Sequence, residues 1–194
     1  MHSTQMVGAQ WDHVPRYEHR AICQTCGTVE SMEHILIRCK ENAVNIIWRA
    51  AKNLWPHDDI PWPNPSLGIA LGAGAISLPK QPRPERDVAK HLAKRKGAVR
   101  LLRILISEAA HMIWVLRCER VIQDKTHHDD EIKKRWTVAI NRRLTDDKIV
   151  ASKIKRDRVH VQMAKNTWER VLRKEGELPD QWIHHPEVLV GTRV

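Results

Sequence analysis

The sequence contains no phenylalanine and only one tyrosine, so aromatic packing falls to its eight tryptophans. These are Trp11, Trp48, Trp55, Trp62, Trp114, Trp136, Trp168 and Trp182, spread over the whole length. Such large flat side chains anchor helix packing, and stacking on nucleobases would require them exposed beside positive charge. No stretch approaches eighteen continuous apolar residues, which excludes a spanning helix. Cysteine is sparse, with four residues; one spaced pattern uses three of them, and that odd remainder and the spacings argue against a secreted disulfide scaffold. A reducing compartment, nucleus or cytoplasm, is therefore expected. Glycine is also scarce, eight in 194 residues. Gly68, Gly72 and Gly74 have neither the spacing of a phosphate loop nor its Lys-Ser/Thr pair, so nucleotide binding of that kind is not expected.

Acidic residues are outnumbered, 23 against 33 Lys and Arg, for a formal charge of +10. The excess is uneven. Residues 1–79 carry six basic and seven acidic side chains, residues 80–103 nine and two, and residues 133–174 fourteen and four. The two blocks thus hold +7 and +10, against −1 for the first 79 residues. A positive field of this kind suits nucleic acid or another anionic surface, or serves as a solvated face that maintains solubility.

The most specific local pattern is Cys23-x2-Cys26-Gly27, followed by His34 and Cys39. Two thiolates two residues apart converge on one ion, and the glycine permits the tight turn beyond them. With His34 and Cys39 they make a three-sulfur, one-nitrogen set, which favours a closed structural Zn²⁺ site. A Cys23/Cys26 redox pair is the alternative, although it leaves His34 and Cys39 without a role.

Residues 1–20 are expected to form an arm against this region. Ser31 is placed as an N-cap before Met32–Leu36, with Glu33 in the first turn. Val44, Ile47, Trp48, Ala51, Leu54 and Trp55 recur at helical spacing until Pro56. A packed loop with a short extended piece is expected over 56–79, then a basic connector over 80–97. The periodicity of 98–122 predicts a buried central helix, with Arg117 and Arg120 facing out near its end and Cys118 as a small core residue. Asp129-Asp130-Glu131 reads as one helix start and Thr145-Asp146-Asp147 as a second. The second helix or helix pair is expected to end before Gly176, followed by a docking turn over Leu178–Ile183 and a frayed tail.

Two-metal catalysis needs converging carboxylates held on rigid elements. Asp58-Asp59 lies in a proline-rich loop, and the other tandem aspartates read as first-turn charges. His127-His128 and His184-His185 are better explained as turn residues than as ligands. No nucleophile has a recognisable local context, so no enzyme activity is expected.

The order of these features resembles a known family. Trp11, Pro15, Tyr17-Glu18, Arg20, Cys23-x2-Cys26-Gly27 and Glu30-Ser31-Met32-Glu33-His34-Ile35-Leu36-x2-Cys39 look like the zinc-binding region downstream of the reverse transcriptase and ribonuclease H domains of non-LTR retrotransposon polyproteins. Trp62-Pro63-x-Pro65-Ser66-Leu67-Gly68, Leu105–Ala110 with Ile113–Ile122, and Trp136-x3-Ile140–Thr145 resemble the fungal, mushroom-type versions. The likeness covers roughly residues 11–190. It implies a C-terminal, non-catalytic segment of a mobile-element protein with Cys23, Cys26, His34 and Cys39 on zinc. The polymerase and nuclease aspartates are missing, so a remnant or a domesticated binding protein is expected.

Together these readings give a mainly α fold, a zinc-stabilised N-terminal knuckle followed by a small helical bundle. The expected parts are a zinc region with its following helix and loop over 1–79, the connector over 80–97, and a helical domain over 98–194. Non-specific RNA or DNA binding is expected through Lys94, Arg95, Lys96, Arg142, Arg143, Lys153, Lys155 and Arg156, with a retroelement protein as a further partner and no membrane. A zinc-stabilised protein-interaction or oligomerisation module is the alternative.

Overall fold

The computed structural model describes residues 6–77, 88–153 and 158–191. The chain is mainly helical, with the cysteine-rich knuckle preceding a larger helical bundle. We label the α-helices α1 (Asn42–Asn53), α2 (Leu67–Leu71), α3 (Val88–Gln123), α4 (Asp129–Lys153) and α5 (Arg158–Trp168). Single helical turns fill much of the remainder, and the only bridges among the described residues are Ile22 with Val29 and Leu172 with Val190. No helix among the described residues is long and apolar enough to cross a membrane.

The organising element is α3. At 36 residues it is about 54 Å long by the α-helical rise. Leu101, Leu102, Leu105, Ile106, Ala109, Met112, Ile113 and Leu116 are buried along it, as their helical spacing requires. α1 packs across α3 and α4, burying Val44, Ile47, Trp48 and Ala51. The Trp48 indole N–H donates to Leu36 O at 2.9 Å, which fixes α1 against the knuckle. Ile132, Trp136, Ile140 and Leu144 form the buried stripe of α4.

Several boundaries differ from the sequence expectation. The helix begins at Val88, so 88–97 of the expected connector belong to α3, while 80–87 lie outside the described residues. This charged stretch is held by α5 rather than by its own apolar content. Gly97 provides the contact: a Cβ there would lie 2.4 Å from Asn166 O, so only glycine lets the two backbones approach. In the loop expected over 56–79, Ser66 caps α2 by accepting from Ile69 N at 3.3 Å.

Thr145-Asp146-Asp147 does not start a helix; α4 runs through it. Thr145 Oγ1 turns back to donate to Asn141 O, and Asp147 is held by Arg100 and by the Trp168 indole N–H. The described part of the expected tail, through Gly191, is docked rather than frayed. Val188 and Val190 are buried, and buried Lys148 donates to Pro186 O and Val188 O at 2.9 and 3.3 Å. Burial pushes the Lys148 ammonium below its ordinary pKa. The docking turn is present at Trp182–His184, with Ile183 buried.

Arg117 is the largest correction. Its guanidinium does not face solvent; it donates through Nε and Nη2 to Glu30 Oε2. The side chains are 4% and 1% exposed, so the pair is a buried link between the knuckle and α3. Arg120 is half-buried and bonds to the knuckle as well. Trp11, Trp48, Trp136 and Trp168 are buried and the other four tryptophans half-buried, in keeping with packing anchors.

Candidate metal centre

The knuckle is built by short-range hydrogen bonds. Cys26 N and Gly27 N both donate to Cys23 O, at 3.3 and 2.8 Å, closing the turn between the two thiols. Gly27 holds φ at +68°, the left-handed conformation that favours glycine. Cys23 N donates to Thr28 O, and Glu30 N to Ala21 O, pairing the strand-like segments on either side. Ser31 acts as the expected cap, its Oγ accepting from His34 N at 3.1 Å. A wide helical turn over His34–Arg38 then delivers Cys39, whose N–H donates to His34 O at 2.7 Å. The N-terminal arm lies against this unit. A Cβ on Gly8 would sit 2.2 Å from Glu30 O, and Arg20 stacks over the Trp11 and Tyr17 rings.

The four expected ligands are brought together, their ligand atoms all within 4.8 Å of one another. Cys39 Sγ lies 3.7 Å from Cys23 Sγ and 3.8 Å from Cys26 Sγ. Disulfide sulfurs would be about 2.0 Å apart. Two thiolates at about 2.3 Å from a tetrahedral Zn²⁺ would be separated by about 3.8 Å, which is the spacing found. His34 supplies the fourth side: its Nε2 is buried without a partner, while Nδ1 is 3.5 Å from Thr28 Oγ1. An imidazole with one nitrogen oriented by an outer hydrogen bond and the other unpartnered suits a metal ligand.

The thiols have unequal environments. Burial pushes Cys39 up to about 12, so its proton must leave when a metal binds. The Lys40 backbone N–H, 3.3 Å from Cys26 Sγ, holds Cys26 below its ordinary value. Soft sulfur ligands with one imidazole, and no fifth side chain in the cluster, fit a structural Zn²⁺. The site is clasped to α3 by Arg120, whose Nη1 donates to Thr25 Oγ1 and Glu41 Oε2 at 2.7 and 2.6 Å. Thr25 Oγ1 donates in turn to Glu41 Oε2. Glu41 follows the last ligand and Thr25 lies between the first two, so both ends of the metal loop are tied to one helix.

The basic side chains named from sequence are dispersed by comparison. Lys94 is 2.7 Å from Glu169, and Arg143 is 2.6 Å from Glu108. Arg142 is exposed on a groove between α3 and α4 whose walls also carry Glu108, Glu131 and Asp146. Lys153 is exposed at the end of α4, and Lys155 and Arg156 lie outside the described residues. Arg95 and Lys96 do share a site. With Arg100 and Arg103 they line a groove of about 450 Å³ floored by Leu92, Val99 and Met163. Arg100 pairs with Asp147, but Arg103 donates only to the neutral Ile76 O, at 3.0 and 2.7 Å. Arg100 and Arg103 were not singled out from sequence because the helical domain was taken to begin at residue 98; the signal for them was their helical spacing, Arg100 four residues after Lys96 and Arg103 three after Arg100.

The His127 side chain is buried between Glu119 and Glu131, with Nε2 2.9 Å from Glu119 and Nδ1 3.1 Å from Glu131. Arg135 holds the Glu119 carboxyl below its ordinary range. This is an ion network, and among the described residues only Cys23, Cys26, His34 and Cys39 group as metal ligands. The fold and the site therefore define a small helical domain with a structural zinc-type centre. No family model, curated protein or solved structure matches the chain.

Proposed function

We propose that this chain is a non-catalytic, zinc-stabilised module that binds nucleic acid through the phosphate backbone, and that it derives from the C-terminal part of a non-LTR retrotransposon polyprotein. The observation carrying the binding reading is the groove between α3 and α5. Four cations, Arg95, Lys96, Arg100 and Arg103, line it, with one internal acidic partner at Arg100. Residues 88–103 contain no acidic side chain, and neither does α5. The floor is aliphatic, so bases find no ring to stack on, and phosphate contacts without sequence preference follow. Origin in a retroelement rests on the family resemblance alone. Against catalysis stands the engagement of the tandem aspartates: Asp147 is committed to Arg100 and Trp168, and Asp129-Asp130 opens α4.

A protein-interaction module is the second reading, favoured by Leu92, which is half exposed on the same groove. Fluorescence anisotropy on the zinc-loaded chain with short RNA and DNA separates the two. Engagement of four phosphates on a duplex gives a log–log salt slope of about −3 to −4. Charge reversal at Arg95 and Lys96 should weaken all sequences alike, whereas Leu92→Ser should leave the affinity intact. Absence of binding at low salt would overturn the nucleic-acid reading, and loss of a protein contact in Leu92→Ser would favour the second.

A further inference from the structure

Three hydrogen bonds outside the ligand cluster join the two arms of the metal loop into a closed ring. Arg120 Nη1 donates to Thr25 Oγ1 and to Glu41 Oε2, and Thr25 Oγ1 donates to that same Glu41 oxygen at 2.8 Å. The Arg120 side chain is 20% exposed and that of Glu41 35%, so solvent screens this pair less than a fully exposed one. Thr25 belongs to the turn that presents Cys23 and Cys26, while Glu41 follows Cys39 by two residues. Arg120 reaches both from α3, across 95 and 79 positions of the chain.

The ring fixes the segment Lys40-Glu41, and that segment faces the sulfurs. Lys40 N–H donates to Cys26 Sγ at 3.3 Å. Burial raises the Cys39 thiol, and the Glu41 backbone N–H offsets part of that rise. Amides aimed at sulfur favour the thiolate, which is the form that binds metal. Three thiolates outweigh the charge of one Zn²⁺, so the centre is net negative and gains from such donors. Their aim depends on where residues 40 and 41 lie. Among the described residues, Glu41 to Arg120 is the one polar side-chain tie between that segment and α3. Arg120 and Glu41 neutralise each other, so the clasp acts through geometry rather than through its own field.

We propose that Arg120 is a positioning residue for the metal centre: through Thr25 and Glu41 it holds the two sulfur-facing amides in place and so retains the zinc. This role presupposes the zinc assignment and adds that the long helix sets how tightly the ion is held. Partners of this outer kind are worth about 10–100-fold in metal affinity.

The test compares zinc affinity in parent and variant full chains by competition with a chromophoric chelator. ¹¹³Cd NMR of the cadmium-loaded chains is the second readout, since cadmium is a soft ion suited to the same thiolates. Arg120→Met should weaken zinc binding by about 10–100-fold and shift the ¹¹³Cd resonance. Thr25→Val removes one hydroxyl and should weaken binding at least several-fold, which serves if the loss of Arg120 disturbs folding. Glu41→Gln keeps an acceptor oxygen for both donors and should retain most of the affinity that Glu41→Ala loses. Gly97→Ala strains the other half of α3 without touching the clasp, so its zinc affinity and cadmium resonance should stay parental. Parental affinity in both Arg120→Met and Thr25→Val, equal losses in the two Glu41 variants, or a loss in Gly97→Ala matching that in Arg120→Met would overturn the proposal. A parent chain that takes up no zinc would overturn the metal assignment as well, a result distinct from a zinc-loaded Arg120→Met chain of parental affinity.

Discussion

Replacing Arg117 by methionine should be among the most damaging single changes in this protein. The side chain it removes is 4% exposed and sits against a Glu30 carboxylate 1% exposed, with Nε donating to Oε2 at 2.8 Å and Nη2 to the same oxygen. Methionine fills the space of the arginine stem but leaves the buried Glu30 carboxylate without its counter-charge. Breaking a buried pair in this way costs about 3–5 kcal/mol, whereas an exposed pair is worth about 0–1 kcal/mol. The guanidinium also lies 5.5 Å from the Trp114 ring centroid, adding about 0.5–1 kcal/mol. Against a typical domain stability of about 5–15 kcal/mol, the variant should lose from about a quarter of its margin to all of it. Urea unfolding of the zinc-loaded protein, followed by tryptophan fluorescence, measures this. The double variant Glu30→Leu/Arg117→Met should recover most of the loss, because exchanging a buried pair for apolar groups of similar volume is often neutral or stabilising. A single variant within about 1 kcal/mol of the parent would refute the reasoning, since it would place the pair in the cost range of a solvated one.

Gly97→Ala should destabilise the α3–α5 contact by about 1–3 kcal/mol, despite the better helix propensity of alanine, because the new Cβ would meet Asn166 O at 2.4 Å; a stabilised variant in thermal unfolding would contradict this contact. Glu119→Gln tests the ion network around Arg135 and His127. The folded-state Glu119 carboxyl is held down chiefly by the Arg135 hydrogen bond, so its contribution is present above the unfolded carboxyl range and lost as pH falls through the lower folded value. The stability gap between parent and variant should therefore be widest near neutral pH and close on acidification below about pH 4; a gap constant with pH would count against the network.

The metal centre was legible because its information is local. Four ligands fall within 17 residues, and a two-residue gap with Gly27 beyond it nearly dictates the turn. The stripes of α1 and the middle of α3 were legible for the same reason: burial repeats with the period of the helix. What escaped depends on partners far along the chain. Arg117 looked like a solvated charge at a helix end because Glu30, which buries it, lies 87 positions away. Asp147 read as a helix start because Arg100 and Trp168, which occupy it mid-helix, are 47 and 21 positions distant. The charged first turns of α3 read as a connector, and only the close approach at Gly97 explains why they are held as helix. Of the groove cations, Arg95 and Lys96 were legible as part of a basic run, whereas Arg100 and Arg103 were hidden by the same boundary.

The central claim is that Cys23, Cys26, His34 and Cys39 share one structural zinc that holds the knuckle on α3. Its most direct test is elemental analysis with zinc X-ray absorption on the full chain, purified without chelator. One zinc per chain, with three sulfurs at about 2.3 Å and one nitrogen at about 2.0 Å, is expected. Cys26→Ala should lose the ion and loosen the N-terminal region before the middle of α3. Protein that folds fully without stoichiometric zinc, or a bound zinc whose shell lacks either the three sulfurs or the histidine nitrogen, would contradict it.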